Sequence, residues 1–411
     1  MVPLLILTSC LAAVPAGDTW PAFRGDGTSL AASENLPVTW NADTNIAWKS
    51  AVPGYGQSSP VVWRDRVIVT SEEGPQKETV FVTAFGLQSG ERLWSKEFKG
   101  AQPQAVSDYV SRAAPTPAAD AERVYAFFET GNLVALDHAG NTLWERSLTG
   151  DYGEFRGNHG IGSSLALTEK SVLVLVCHEG PSYLLAVDKA SGKTLWKADR
   201  AEQVSWSSPI YDAVERQIIV SSNGSCEAID ADTGKQIWIV EGLKGNTVPS
   251  ATVTKELVIV GSGDAGGSVA IRRGGQGNVT GTHVAWRSVE ASATFSSPLV
   301  YEERVYMVSK AGVAFCLDLQ TGEVAWKERI GGSCWASPIG SGGKIYLFEK
   351  TGKTTIVAAG PKLEILATNE LPTDDKVYGV AAVQRSFVVR TGAGLACIRA
   401  AQPAAESVPA K

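Results

Sequence analysis

The sequence predicts an all-β protein, an eight-bladed β-propeller built from four-stranded antiparallel blades. Three observations predict it: a hairpin motif that recurs along the chain, a serine-proline motif that recurs before each hairpin, and a composition rich in turn-forming glycine and in tryptophan. The chain has 411 residues, with 42 glycines, 12 tryptophans and only 2 methionines. Frequent turns with regularly placed aromatic residues are typical of β-repeat proteins.

The hairpin motif is clearest at Ala228–Trp238, which reads Ala-Ile-Asp-Ala-Asp-Thr-Gly-Lys-Gln-Ile-Trp. Two apolar runs flank a short turn in which Asp230 and Gly234 suit a β-hairpin. Related copies are spaced 40 to 52 residues apart after a first tryptophan at Trp48, and they end at Trp94, Trp144, Trp196, Trp238, Trp286 and Trp326. This period matches a four-stranded propeller blade.

The serine-proline motif precedes each hairpin and marks the first strand of a blade. It is clear at Ser58-Ser59-Pro60 and also at Ser207-Ser208-Pro209, Ser296-Ser297-Pro298 and Ala336-Ser337-Pro338. Weaker forms are Ala114-Pro115, Ser163-Ser164-Leu165 and Pro249-Ser250-Ala251. A β-rich run follows every copy, so we predict that the tryptophan strand comes last in each blade.

The strand count predicts how the ring closes. After six tryptophan-terminated blades, a seventh runs from Trp335 to about Thr368, and only three strands follow it. The strand around Trp48 has no hairpin partner before it, so we expect it to complete the eighth blade. Closure of this kind hides the sheet edges that an open array would expose. The predicted propeller is 46–399, preceded by an extension at 17–45 and followed by a disordered tail at 400–411.

Residues 1–16 are apolar and resemble a secretory signal peptide, although no Lys or Arg precedes the apolar run. Two processing routes are open. Leu7-Thr8-Ser9-Cys10 resembles a lipobox, which would make Cys10 a lipidated N-terminus, and Val14-Pro15-Ala16 suits cleavage before Gly17. The missing charge and the early cysteine favour plain export. We expect an exported, periplasmic or envelope-associated bacterial protein, attached to a membrane only if Cys10 is lipidated.

Charge and cysteine content argue against nucleic-acid binding, a disulfide framework and a thiolate metal site. The net charge is −6 and no basic run occurs, so sequence-independent nucleic-acid binding has no electrostatic basis. The cysteines that follow the signal are odd in number and scattered, which predicts buried small side chains and leaves a Cys316–Cys334 disulfide as the less favoured alternative. There is no Cys-x-x-Cys, so no thiolate metal site is expected.

The hairpin pattern Ala-x-Asp-x-x-Thr-Gly-x-x-x-Trp resembles the tryptophan-docking motif of quinoprotein-type propellers. That family includes the pyrroloquinoline quinone (PQQ) dehydrogenases and the barrel-assembly lipoprotein BamB. The Trp-Pro-x-Phe-Arg-Gly start at Trp20–Gly25 resembles exported PQQ-like repeat proteins. The resemblance covers nearly the whole chain after the signal, and it implies a structural docking role for Trp94, Trp144, Trp196, Trp238, Trp286 and Trp326.

The sequence lacks key residues of each catalytic motif that it partly resembles. A PQQ dehydrogenase needs vicinal cysteines over the quinone and carboxylate or amide oxygens around Ca²⁺, but no Cys-Cys pair exists. Gly263-Asp264-Ala265-Gly266-Gly267 has alanine where a nucleophile would be needed. Gly274-Gly275-Gln276-Gly277 lacks the Lys-Ser/Thr of a phosphate loop. We therefore expect no catalytic set, no metal and neither PQQ nor Ca²⁺.

A constellation of polar and aromatic residues is predicted at one end of the channel. First strands line a propeller's axis, so residues just before each blade start should converge there. These candidate ligand-binding residues are Gln57, Arg112, His159, Trp206, Asn246, Phe295, Trp335 and Tyr378. Aromatic residues interleaved with Arg, Asn and His suit a sugar, a peptide or another polar ligand. The alternative is that they only plug the channel and hold neighbouring blades together.

The sequence thus predicts an exported binding or scaffolding module, expected to be a monomer, whose partner is a protein or a polar or carbohydrate ligand. Two alternatives stay open. One is an enzyme that uses the channel funnel, either a PQQ-type oxidoreductase or a carbohydrate-active enzyme. The other is a BamB-like assembly lipoprotein of the outer membrane.

Overall fold

A computed structural model describes residues 19–105, 111–157 and 159–400. The predicted signal peptide, Cys10 and nearly all of the predicted tail lie outside this range. Short strands β1 (Thr19–Trp20) and β2 (Ile46–Ala51) come first in the chain. Neither helix in the described residues, α1 (Leu148–Tyr152) or α2 (Thr280–His283), has the length or apolarity needed to cross a bilayer.

The first four blades follow in chain order, each an antiparallel sheet from the channel outward. They are β3 (Val61–Trp63), β4 (Arg66–Glu73), β5 (Thr79–Gly86) and β6 (Arg92–Lys99); β7 (Ala118–Ala119), β8 (Arg123–Phe127), β9 (Asn132–Asp137) and β10 (Thr142–Ser147); β11 (Ala166–Leu167), β12 (Ser171–Val176), β13 (Ser182–Asp188) and β14 (Thr194–Arg200); and β15 (Ile210–Asp212), β16 (Gln217–Ser222), β17 (Ser225–Asp230) and β18 (Gln236–Glu241).

The remaining blades repeat the pattern. They are β19 (Thr252–Val253), β20 (Leu257–Val260), β21 (Val269–Arg272) and, after a short strand β22 (Gly277–Asn278), β23 (Val284–Arg287); β24 (Leu299–Tyr301), β25 (Arg304–Val308), β26 (Val313–Asp318) and β27 (Val324–Arg329); β28 (Ile339–Ser341), β29 (Lys344–Phe348), β30 (Lys353–Ala358) and β31 (Ile365–Glu370); and β32 (Val377–Val383), β33 (Ser386–Thr391) and β34 (Gly394–Arg399).

The eighth blade is completed from the N-terminus, as predicted. Strand β2 pairs antiparallel with β34, and Trp48 lies opposite Cys397. The first and last parts of the propeller are thereby joined in one sheet of order β2-β34-β33-β32. The eight-bladed fold with four-stranded blades is confirmed, and so is the position of the ring closure.

Six tryptophans each tie one blade to the next. The indole Nε1 of Trp196 donates to the carbonyl oxygen of Ala231 at 3.0 Å, and that of Trp144 donates to Lys189 at 3.0 Å. Equivalent bonds of 2.9 to 3.1 Å are made by Trp48, Trp94, Trp286 and Trp326. A large apolar ring with one satisfied N–H suits a joint between two sheets.

The turn aspartates explain why the hairpins have their shape. Asp230 accepts hydrogen bonds from the backbone N–H of Thr233 at 2.8 Å and from its hydroxyl at 2.6 Å. These bonds favour the carboxylate and lower the pKa of Asp230 below its ordinary value. Asp188 and Asp318 make the same contacts in their turns.

Blade 5 departs from the repeat. Its insertion places β22 in parallel beside β18, with Gly277 opposite Trp238, so blade 4 gains a fifth strand at its outer edge. Trp238 is 1% exposed, and its Nε1 has no hydrogen-bond partner among the described residues. The sequence carries a glycine-rich insertion between Arg272 and Gly281, but nothing in it indicates this pairing. The insertion replaces the blade 5 turn against which Trp238 would dock. Strand β22 within it covers the outer edge of blade 4.

Gly234 should be the costliest glycine of its blade to replace. Its φ is +72°, and a Cβ there would lie 2.5 Å from the ring of Trp196. Gly242 has the same φ with open space around it, so it is a matched control. Both alanine variants carry about 1–2 kcal/mol of left-handed strain. We expect Gly234→Ala to lose about 1–3 kcal/mol more in urea unfolding because the indole must move. Equal losses in the two variants would contradict the docking account.

The N-terminal extension runs along one end of the channel and touches successive blades. Trp20 pairs with Val62 of blade 1, and the carbonyl of Pro21 accepts from Ala119 of blade 2 at 2.8 Å. Further along, Leu30 bridges to Gly340 of blade 7. These contacts fall at or beside the far ends of the first strands. The extension therefore spans the channel end opposite to the blade starts.

Arg24 anchors this extension between blades 5 and 6. Its guanidinium donates to the carbonyl of Ala251 at 3.0 Å, to the hydroxyl of Thr252 at 2.6 Å and to the carbonyl of Pro298 at 2.9 Å. Its Nε donates to Ser29 at 3.1 Å. Burial lowers the pKa of Arg24 to about 9.

Candidate ligand site at the channel mouth

A cavity of about 430 Å³ opens at the end of the channel where the first strands begin, which we call the mouth. Its size lies within the range of small-molecule sites, roughly 300–1,000 Å³. Residues before the first strands form its walls, and Phe23 of the N-terminal extension reaches it from the opposite end. With the extension spanning the far end, the cavity is a blind pocket rather than an open pore.

A ring of hydroxyl groups encircles the cavity, one from each of seven blades. In six steps, the backbone N–H of one ring residue donates to the hydroxyl oxygen of the next at 2.8 to 3.1 Å. The members are Ser59, Thr116, Ser164, Ser208, Ser250, Ser297 and Ser337. The recurring serine of the serine-proline motif is thus the residue that joins neighbouring blades at the channel.

The ring position of blade 8 is Gly379. A Cβ on Gly379 would collide with both the side chain and the backbone of Ser59. The hydroxyl ring therefore closes through a close backbone approach rather than through an eighth side chain.

Aromatic residues form an arc over one side of the mouth. Trp335 lies 6.0 Å from Phe295 and 5.3 Å from Tyr378, measured between ring centroids. Tyr378 continues the arc to Tyr55, whose hydroxyl lies 2.7 Å from that of Tyr378. Across the mouth, Trp206 packs edge-on against His159. Blades 2, 3 and 5 instead carry Ala114, Gly162 and Val248 at the cavity wall.

The cavity brings together six of the eight predicted residues. They are Gln57, His159, Trp206, Phe295, Trp335 and Tyr378. Arg112 and Asn246 were predicted at the mouth but do not line the cavity. The Arg112 guanidinium lies over the ring of Tyr55 at 4.4 Å and donates to Glu72 at 3.0 Å. Asn246 is fully buried, where its amide holds the turn between β16 and β17.

The predictions for Arg112 and Asn246 failed for the same reason. In blade 2 the residue in the hydroxyl ring is Thr116, which precedes Pro117, so the blade starts two residues later than Ala114-Pro115 indicated. In blade 5, Ser250 is in the ring, and the position that matches Trp206 is Val248 rather than Asn246. Weak copies of the serine-proline motif therefore gave a register that was wrong by two residues.

Sequence reasoning also missed Phe23 as a cavity residue. The only available signal was the Trp-Pro-x-Phe-Arg-Gly start, in which a buried arginine and a phenylalanine are adjacent. Nothing in that pattern indicates that the segment spans the channel.

A buried charge cluster lies behind the mouth, between blades 1 and 2. The side chain of Lys77 is 0% exposed, and its Nζ lies 2.8 Å from Glu129 and 3.8 Å from Glu72. Glu72 also accepts from Arg112, and Lys77 donates to the carbonyl of Ser111. Burial, reinforced by Glu129, raises the pKa of Glu72 to about 8, although Lys77 and Arg112 oppose the shift.

We expect Glu72→Gln to remove a pH dependence of stability. Because the folded pKa of Glu72 lies above its ordinary value of 4.5, its contribution is fully present below about pH 4.5 and is lost as pH rises through about 8. Each pKa unit corresponds to about 1.4 kcal/mol, so wild type should lose a few kcal/mol relative to Glu72→Gln across this window. Urea unfolding of both proteins from pH 5 to 8 measures the difference. Parallel curves would show that Glu72 titrates normally.

The cavity does not fit PQQ with Ca²⁺. No Asp, Glu, Lys or Arg of the described part of the chain lines it, whereas Ca²⁺ requires several oxygen ligands, usually including carboxylates, and the carboxylates of PQQ require cationic partners. Within the described ranges, no group of three or more His, Cys, Asp or Glu side chains is arranged to hold a metal ion. All five described cysteines are buried and unpaired.

Comparison with known proteins decides the family. The family model described as outer membrane protein assembly factor BamB matches residues 11–158 and 154–362. The chain belongs to this BamB family. Among its curated members, BamB of Shewanella oneidensis is 25% identical over 279 residues, covering 65% of this chain and 68% of that protein. BamB of Yersinia pestis is 25% identical over 300 residues and covers 70% of each chain.

Solved structures share the BamB-type fold. BamB from Moraxella catarrhalis superposes with a TM-score of 0.65 at 15% identity, covering 87% of this chain and 98% of that one. Quinohemoprotein alcohol dehydrogenase from Comamonas testosteroni gives a TM-score of 0.70 at 14% identity, covering 95% and 82%. At these identities the similarity shows the fold alone, and activity has to be argued from the site.

Proposed function

We propose that this BamB-family chain is a non-enzymatic scaffold of the bacterial cell envelope that takes part in the assembly of outer membrane proteins. In this role it is exported and docks a protein partner on the mouth face. The observation that carries the proposal is the asymmetry of the channel. One end is spanned by the chain's own extension, and the other is open and rimmed by aromatic residues.

The chemistry of the mouth supports docking rather than catalysis. Tyr and Trp are enriched where proteins bind one another, because they bury large areas at low entropic cost. The aromatic arc is flanked by Lys350 and Lys376, whose amines lie 5.7 and 5.4 Å from the Trp335 ring centroid. The side chains of the nearby charge cluster pair with one another, and the lining formed by residues that the structure describes holds no pair of acid and base side chains suited to proton transfer.

The two curated relatives are named as assembly factors for outer membrane proteins, and this supports the assembly process as the one in which the chain acts. Deleting the gene in its native host should therefore lower the abundance of folded outer-membrane β-barrels. Heat-modifiable gel mobility together with quantitative proteomics of isolated outer membranes measures this. A wild-type copy should restore the level. Unchanged β-barrel levels after deletion would contradict the proposal.

A further inference from the structure

Six hydroxyl groups of the ring line the cavity with hydrogen atoms still to donate. All six residues are at most 8% exposed, and the hydroxyls of Thr116, Ser164, Ser208, Ser250 and Ser297 each accept one backbone N–H. No hydroxyl hydrogen of the six has an acceptor among the described residues. A buried donor without an acceptor costs free energy unless water or a ligand completes it.

The arrangement of the donors sets the shape of a matching ligand. They lie around the circumference of the cavity, whereas Phe23 lies at its inner end and the aromatic arc lies over one side of its mouth. Such a site fits a disc that carries acceptor oxygens on its perimeter and apolar groups on its faces. A pyranose ring has this form, with hydroxyl oxygens around its edge and C–H groups on its faces.

The lining also selects against charge. Among the described residues it contains no charged side chain, so an anion in the cavity would lose its hydration without a counter-charge beside it. The lysines above Trp335 lie over its ring at the rim rather than among the lining residues.

A peptide segment fits less well because its backbone N–H groups need acceptors. Five of the six cavity hydroxyl oxygens already accept one backbone N–H, and the Oε1 of Gln57 accepts from Arg112 at 3.1 Å, so the cavity wall offers fewer free acceptors than a peptide backbone needs. We propose that the cavity, whose wall includes the aromatic arc of the mouth face, binds a neutral saccharide ring in addition to the protein docking proposed for that face. The Nε1–H of Trp335 is buried without a partner in the described chain and supplies one further donor.

The test is calorimetric titration of the purified full chain with glucose, N-acetylglucosamine and their disaccharides, with gluconate and triglycine as charged and peptide probes. Ser297→Ala and Ser337→Ala form a matched pair. Each removes one ring hydroxyl that accepts an inter-blade N–H at 3.0 or 3.1 Å, but only Ser297 lines the cavity. Phe23→Ala removes the apolar contact on the inner side.

We expect saturable binding of at least one neutral saccharide, weakened about tenfold by Ser297→Ala and nearly unchanged by Ser337→Ala. Phe23→Ala should weaken it further, and thermal unfolding of each variant checks that the fold is retained. Absence of binding by all neutral saccharides, preference for gluconate or triglycine, or equal losses in the serine pair would overturn the proposal. Any of these results would leave the assembly role untouched, because that role is tested by β-barrel abundance in cells.

Discussion

Replacing Lys77 with methionine is expected to lower the free energy of unfolding by about 3–5 kcal/mol, because it removes one partner of a buried ion pair. Lys77 lies between two buried carboxylates, at 2.8 Å from Glu129 and 3.8 Å from Glu72. Without the amine, Glu129 loses its charged partner and Glu72 keeps only Arg112. The cluster joins β4, the turn that follows it and the start of blade 2, so its loss loosens one interface of the ring.

Urea unfolding at pH 7 measures this loss. Lys197→Met is the control, because Lys197 pairs with Asp199, whose side chain is 82% exposed, and a surface pair is worth about 0–1 kcal/mol. A Lys77→Met variant as stable as the control would show that the buried carboxylates are accommodated by protonation or by water. If Lys77→Met is destabilised as expected, Glu129→Gln in that background should recover part of the lost stability, since it removes the stranded acid.

Arg24→Ala is expected to cost a similar amount, about 3–5 kcal/mol, for a different reason. Arg24 makes four hydrogen bonds, and three of them join the extension to blades 5 and 6. Alanine strands the carbonyl oxygen of Ala251 away from water, which costs about 1–3 kcal/mol, whereas the carbonyl of Pro298 keeps the Thr252 hydroxyl as a donor at 2.6 Å. The remaining loss comes from the other hydrogen bonds of the charged guanidinium, since a bond to a charged group is worth about 1.5–3 kcal/mol. Arg24→Lys should be intermediate because an amine cannot reproduce the guanidinium fork.

The distinctive result for Arg24→Ala is detachment of the extension. Limited proteolysis should cut within the segment 21–40 well before the propeller, whereas wild type resists there. Arg216→Ala is the matched control, since Arg216 is half exposed and pairs with Asp232 at the surface. An extension that stays protected in Arg24→Ala would mean that strand β1 and the Trp20 and Trp40 side chains hold it without the arginine.

The fold could be predicted because its physical causes repeat. In most blades a tight turn receives the indole ring of a tryptophan from the preceding blade, so the Asp-Thr-Gly and Trp positions recur in a fixed order. The strand around Trp48 had no hairpin partner of its own, so the only incomplete blade was the one it could complete, and Trp48 lies opposite Cys397 there. The insertion in blade 5 broke this regularity, and its pairing with β18 depends on three-dimensional proximity that the local sequence does not express.

The mouth was only partly predictable. Where serine and proline are both present, as at Ser207-Ser208-Pro209, the register was secure and Trp206 lines the cavity. Where the motif is degenerate, the prediction chose Arg112 and Asn246, which come two residues before the cavity positions Ala114 and Val248. The role of Phe23 depends on the path of a chain segment across seven blades, and long-range paths leave no periodic signal.

The most direct test of the account is site-specific photocrosslinking in living cells from two equally exposed valines at opposite ends of the channel. Val289 is 89% exposed in the connection between blades 5 and 6 on the mouth face, and Val214 is 85% exposed in the β15–β16 turn at the far end. A benzophenone side chain at 289 should capture an outer-membrane β-barrel protein or a component of its assembly machinery, identified by mass spectrometry, and one at 214 should not. Capture of such a protein from 214 alone, or equally from both positions, would contradict docking on the mouth face.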